Sequence, residues 1–191
     1  MRPPRKLGRL AALSRFGRAR GGMAAVEFAF LLPVMLVMFF GVVEVSMALA
    51  CRADVTNVAS TTADLTAQAS SLSTSDVSNV FNAAGAILYP YDASAARITV
   101  TSLNYDTTSK SLTSGVVAWS CANTGSGRGK NSVVTLPAGL MTVNGSVIMA
   151  EVTYTYTSPT TKVITGPMPM TNTFYTKPRR VAQITGPTAC P

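Results

Sequence analysis

The chain has no histidine, one tryptophan and only three cysteines among its 191 residues. Without histidine there is no Ser-His or Cys-His nucleophile pair and no imidazole metal ligand. Cys51, Cys121 and Cys190 are too scattered for a zinc motif. Acids are scarce as well, eight against sixteen Lys and Arg. None lies in the first 22 residues, and after Asp106 the only one is Glu151. Glu151 falls in a strand. Residues 125–130, Gly-Ser-Gly-Arg-Gly-Lys, look like a phosphate loop only superficially. They lack the Walker spacing and a following helix, and read as a flexible hairpin loop. The expectation is a non-enzymatic protein with no cofactor and no metal site.

Positive charge is abundant, and it is concentrated at one end. Arg2, Arg5, Lys6, Arg9, Arg15, Arg18 and Arg20 form a basic leader, while the rest of the chain holds nine basic and eight acidic side chains. The formal charge of +8 is therefore almost wholly a property of the leader. A basic tail can bind nucleic acid. This one has a single aromatic, Phe16, and runs directly into an apolar segment, so it reads instead as the cytoplasmic flank that orients a membrane span. No nucleic-acid partner is expected.

Residues 28–43, FAFLLPVMLVMFFGVV, carry no charge. Counted from Met23 to Val43, the apolar segment spans about 31 Å as a helix, which matches a hydrocarbon core of about 30 Å. Glu44 marks the far boundary. Glu27 lies just inside the near one, five residues after Gly22. A carboxylate at the centre of a span costs about 2.5–3.5 kcal/mol, less near the interface, and a partner for Glu27 would reduce that cost.

Three readings of the segment compete. It can be a permanent anchor. It can be a secretory signal peptide cut after Ala48-Leu49-Ala50; Cys51 next to that site hints weakly at lipid attachment. It can also be a prepilin-type leader, cut after Gly22 on the cytoplasmic side with the apolar helix retained. The third accounts for more residues. Gly22 suits a narrow peptidase subsite. Met23 becomes a charged N-terminus, and Glu27 lies one helical turn away, able to pair with that amine or with a neighbour's. Neither of the other readings gives Glu27 a role.

Residues 18–33, Arg-Ala-Arg-Gly-Gly-Met-Ala-Ala-Val-Glu-Phe-Ala-Phe-Leu-Leu-Pro, resemble the N-terminal signature of TadE-like pseudopilins of tight-adherence (Tad, Flp-type) pilus assembly systems. The resemblance covers about residues 18–62. Its core falls on Gly22, Glu27 and Phe28, and its Leu-Leu-Pro on Leu31, Leu32 and Pro33. It implies a minor pilin-like component, cleaved between Gly22 and Met23 by a prepilin peptidase and needed for pilus biogenesis. It implies as partners other pilin-like subunits, the Tad inner-membrane machinery and membrane lipid. The implied location is a bacterial inner membrane, single-pass, with a cytoplasmic N-terminus and a periplasmic C-terminal domain. The other outcomes are a secreted or lipid-anchored binding domain released after Ala50, or a plain anchored envelope protein.

Pro33 inside the span removes one hydrogen bond and predicts a bend near Ala29. No Pro or Gly interrupts residues 42–84. Val55, Val58, Thr62, Leu65, Ala69 and Leu72 recur every three or four residues, so the helix is expected to continue from about Ala24 to Ser70. Ser71 to Asp76 then supply caps for a second amphipathic helix through Val77, Val80, Phe81, Ala84, Ile87 and Leu88, closed by Pro90. Beyond Arg97 the pattern is of strands, at 97–104, 115–122, 133–136, 146–157 and 174–184. Asn144-Gly145 is a turn, and 123–131 and 158–171 are loops. The predicted class is α+β. The expected organisation is a leader (1–22), a transmembrane helix (23–45), a helical stem (46–72) and an α+β domain with a small antiparallel sheet (73–191). In an oxidising periplasm, Cys121 at a strand end and Cys190 on the tail after Gly186-Pro187 are candidates for a disulfide. Cys51, on the stem, is expected to stay free or to pair between subunits.

Overall fold

The computed structural model describes residues 21–160 and 163–191. The basic leader up to Arg20, and the expectation that it stays cytoplasmic, lie outside the described residues. One helix, α1 (Gly21–Ala67), carries both the apolar segment and the stem; its 47 residues extend about 70 Å. It runs unbroken through Pro33. Helix α2 (Thr74–Ile87) follows after a short turn. Ser73 and Asp76 form a capping box at its start: Asp76 N–H donates to Ser73 Oγ at 3.2 Å, and Ser73 N–H to Asp76 Oδ2 at 2.9 Å. These bonds hold the Asp76 carboxyl below its usual range, the Ser73 hydroxyl first and its backbone N–H second.

The remainder is a five-stranded antiparallel sheet built from β1 (Ala96–Asn104), β2 (Ser114–Ala122), β3 (Val133–Thr135), β4 (Ser146–Tyr156) and β5 (Met168–Thr176). The spatial order is β3-β2-β1-β4-β5. The structure is α+β, with a long apolar N-terminal helix, a short second helix and then the sheet.

Alternation along β4 sets the two faces of the sheet. Ile148, Val152, Tyr154 and Tyr156 join Ile98 and Val100 of β1 against α1 and α2 in the main core. Val147 and Met149 point the other way and form a smaller core with Leu103, Val117, Leu136 and Met141. The stem half of α1 supplies Ala48, Cys51, Val55, Val58 and Ala59 to the main core. Small and β-branched side chains let the helix lie close on the sheet. Two buried hydroxyls on that face are satisfied within the helix: Thr62 Oγ1 donates to Val58 O at 2.6 Å and Thr66 Oγ1 to Thr62 O at 2.8 Å.

The last strand differs from the sequence reading, which put it at 174–184. It is Met168–Thr176, with Tyr156 opposite Met168 and Ile148 opposite Thr176. Pro169 belongs to it, because β5 is an edge strand and a proline on the open edge forfeits no ladder bond. Residues 177–184, read as strand from their apolar side chains, instead begin an irregular tail that crosses the end of α1 and the sheet.

Candidate functional site

Among the described residues no group of three or more Cys, Asp and Glu side chains gathers to hold a metal. The features that stand out lie along α1. In its first half the side chains point outward all round: Met23, Phe28, Phe30, Val34 and Val37 are all more than half exposed. Glu27 is exposed too, one turn from Met23 on the same helix. Gly22 has open space around it, with nothing within 4 Å of where a Cβ would stand. Gly22, Met23, Glu27, Phe28 and Pro33 are thus brought together on one continuous, unpartnered helical surface. The apolar length, exposure and composition fit a single membrane span.

Although Val45, Met47 and Leu49 beyond it remain exposed, the Glu44 side chain is wholly buried. Residues on the approach to β5 wrap it: the backbone N–H groups of Val163 and Ile164 donate to Glu44 Oε2 at 3.0 and 2.6 Å, and Thr160 Oγ1 donates to Glu44 Oε1. Converging donors of this kind are what allow a carboxylate to be buried. Three residues further along α1, the Met47 carbonyl accepts from Tyr91 Oη at 2.9 Å. Tyr91 and Tyr156 meet edge to face, with ring centroids 6.0 Å apart. Tyr91, Tyr154, Tyr156 and the donors to Glu44 form a collar where the helix enters the domain. Burial pushes the phenols of all three tyrosines above their ordinary range. Cys51, within this collar, is free and buried. Burial, and secondarily Asp54, pushes its thiol up to about 11. Sequence reading gave Glu44 only the place of a boundary marker. Its position between an apolar run and a stem was the available signal, but its donors lie more than a hundred residues away.

A second device holds the other end of α1. The tail from Arg179 to Cys190 straps helix, cap and sheet together. Arg179 N–H donates to the terminal Ala67 carbonyl at 2.9 Å, and its guanidinium pairs with Asp64. Leu72 N–H donates to Thr185 O at 2.9 Å, and Thr74 Oγ1 to Ala189 O at 2.6 Å. Trp119 Nε1–H donates to Ile184 O at 2.9 Å. Gly186 lies so close to Trp119 that a Cβ there would fall 2.2 Å from the indole. Cys190 ends the strap in a disulfide to Cys121.

The 125–130 loop is pinned to the sheet. Arg128 grips Glu151 through both carboxylate oxygens at 3.0 and 2.6 Å, and Arg97 donates to Ser126 O at 2.9 Å. The bond to Glu151, with its charge, outweighs burial and raises the Arg128 guanidinium further above its ordinary range.

A match to a known protein family lies on the long helix. Residues 22–64 match the family model of TadE-like proteins. The matched segment begins at Gly22, takes in the exposed apolar half and Glu44, and continues through the buried face to Asp64. The TadE-like segment is therefore both a candidate span and a core element of the domain. No curated protein and no solved structure gives a significant match to the chain. The TadE-like segment points to a Tad pilus-associated protein, and the one span-length apolar helix among the described residues fits a single-pass membrane protein.

Proposed function

We propose that this protein is a non-catalytic, pilin-like subunit of tight-adherence pilus assembly. The leader remains cytoplasmic, a prepilin peptidase cuts between Gly22 and Met23, and the rest of α1 stays in the inner membrane with the domain in the periplasm. The observation that carries this reading is the TadE-like match, which starts at Gly22 and covers the helix through Asp64. Glu27 stands one turn from the amine that cleavage would create, on a helix surface that makes no contact with the protein's own domain. Pairing there, within one subunit or between neighbours, offsets the cost of a carboxylate near lipid. The exposed helix supplies the packing surface, and the periplasmic domain supplies contacts to other pilin-like subunits and to the Tad machinery.

The unbroken helix also argues against release after Ala50. Glu44, Ala48 and Cys51 are all buried by the domain. Cleavage there would strip Glu44 and Ala48 from the core and leave their partners unfilled. The role of Glu27 is tested with Glu27→Ala. The variant is expected to insert and accumulate normally, because removing an acid from the span favours insertion. It is expected to lose piliation and crosslinking to pilin-like partners. Normal pili at normal protein level would refute the pairing role.

A further inference from the structure

The domain does not stand clear of the span; it reaches back along it. Val163 packs beside Gly41: a Cβ at Gly41 would stand 3.9 Å from Val163 Cγ2. Gly41 is three residues, about 4.5 Å along the helix axis, on the span side of Glu44. If Glu44 marks the boundary of the hydrocarbon, Val163 lies just inside it, and it is 45 % exposed. Nearby, the bond from Tyr91 to the Met47 carbonyl fixes the 89–91 turn three residues on the domain side of Glu44, about the depth of lipid headgroups. Tyr89 on that turn is 85 % exposed, the most exposed of the large hydrophobic side chains at any position in the described chain. An apolar tip placed inside the boundary and an amphipathic ring placed at headgroup level match the layering of a bilayer surface. The neighbouring carboxylate is meanwhile turned inward onto protein donors.

We propose that this rim of the domain, Val163 with Tyr89 above it, is a second lipid-contacting surface that seats the domain directly on the bilayer. The seat fixes the tilt and rotation of the domain relative to the span. α1 then acts as one rigid post, with no flexible stalk between membrane and sheet. The partner is lipid, because the rim is continuous with the span itself and shares its depth. The inference rests on the reading of residues 23–43 as membrane-spanning, so its test must separate the two.

The full chain is reconstituted in phosphatidylcholine vesicles with acyl chains brominated near the headgroup or near the methyl end, and tryptophan emission is compared with unbrominated vesicles. Trp119, the only tryptophan, lies on β2 opposite Ser102, well up the sheet, and serves as an unquenched reference. Val163→Trp is expected to add emission that is lost with shallow bromines. Tyr89→Trp is expected to lose less, and Phe30→Trp to respond to deep bromines. Quenching of Phe30→Trp without quenching of Val163→Trp and Tyr89→Trp would overturn the seat while leaving the span intact. A blue-shifted but unquenched Val163→Trp would mean that protein covers the rim, and would also overturn it. Absence of quenching in all three would remove the span reading, and the seat with it.

Discussion

The two halves of α1 share one backbone and have opposite sequences. Before Val43 the helix is large and apolar on every side, and its side chains face outward. After Glu44 one face is alanine, valine, threonine and cysteine, packed against the sheet, while the open side still shows Val45, Met47 and Leu49 before polar residues such as Arg52, Thr56 and Asn57 take over. The first half suits a solvent that is itself apolar, where bulk on all sides costs nothing. The second must fit a fixed protein surface, where bulk on the buried face is excluded and polarity elsewhere is needed. Glu44 is the joint, and the domain shields its charge. The TadE-like match crosses the joint without a break, so the matched unit is neither a membrane anchor alone nor a domain alone.

The largest expected effect comes from freeing the strap that clasps the second half. Cys190→Ser opens a closure between residues 69 apart in sequence, worth about 4 kcal/mol in the chain-entropy model. Thermal unfolding of the detergent-solubilised protein should show a large loss of stability in Cys190→Ser, and the same loss in wild type after reduction. Insertion should be unaffected, since the first half does not touch the strap. Unchanged stability in both would remove the bridge from the account.

Glu44→Leu strikes the joint. It leaves the half-buried amides of Val163 and Ile164 without their acceptor, at a cost of up to about 3 kcal/mol. The proteolysis rate around residue 163 should rise even though the span has become more apolar. A protected loop in this variant would mean that the carboxylate does not organise it.

The comparison of the halves is sharpened by a pair of opposite substitutions. Ala63→Leu overpacks the buried face and should cost about 2 kcal/mol of domain stability. Phe30→Ala is a volume change at least as large, in the first half, and should leave domain unfolding unchanged. Equal effects would mean that the two halves share one environment.

Much of this was legible in the residues. The change from period-free apolarity to a spaced stripe of Val55, Val58 and Thr62 marks where the helix changes solvent, and Ser73 with Asp76 marks the second helix. β4 reads correctly in both faces because its alternation is strict. Local pattern misplaced the final strand, since Pro169 reads as a breaker unless its edge position is known, and the apolar residues near 181–184 serve a strap whose partners are Trp119 and Leu72. The collar was invisible for the same reason. Glu44, Met47, Tyr91, Thr160 and Val163 are joined only by the fold, across separations that no local pattern encodes.

The central claim is that α1 from Met23 onward is one retained element, half in lipid and half in the domain. The mature N-terminus of membrane-extracted protein tests it most directly. The account predicts a chain that begins at Met23 and stays with the membrane. A chain that begins at Cys51 or beyond would contradict it.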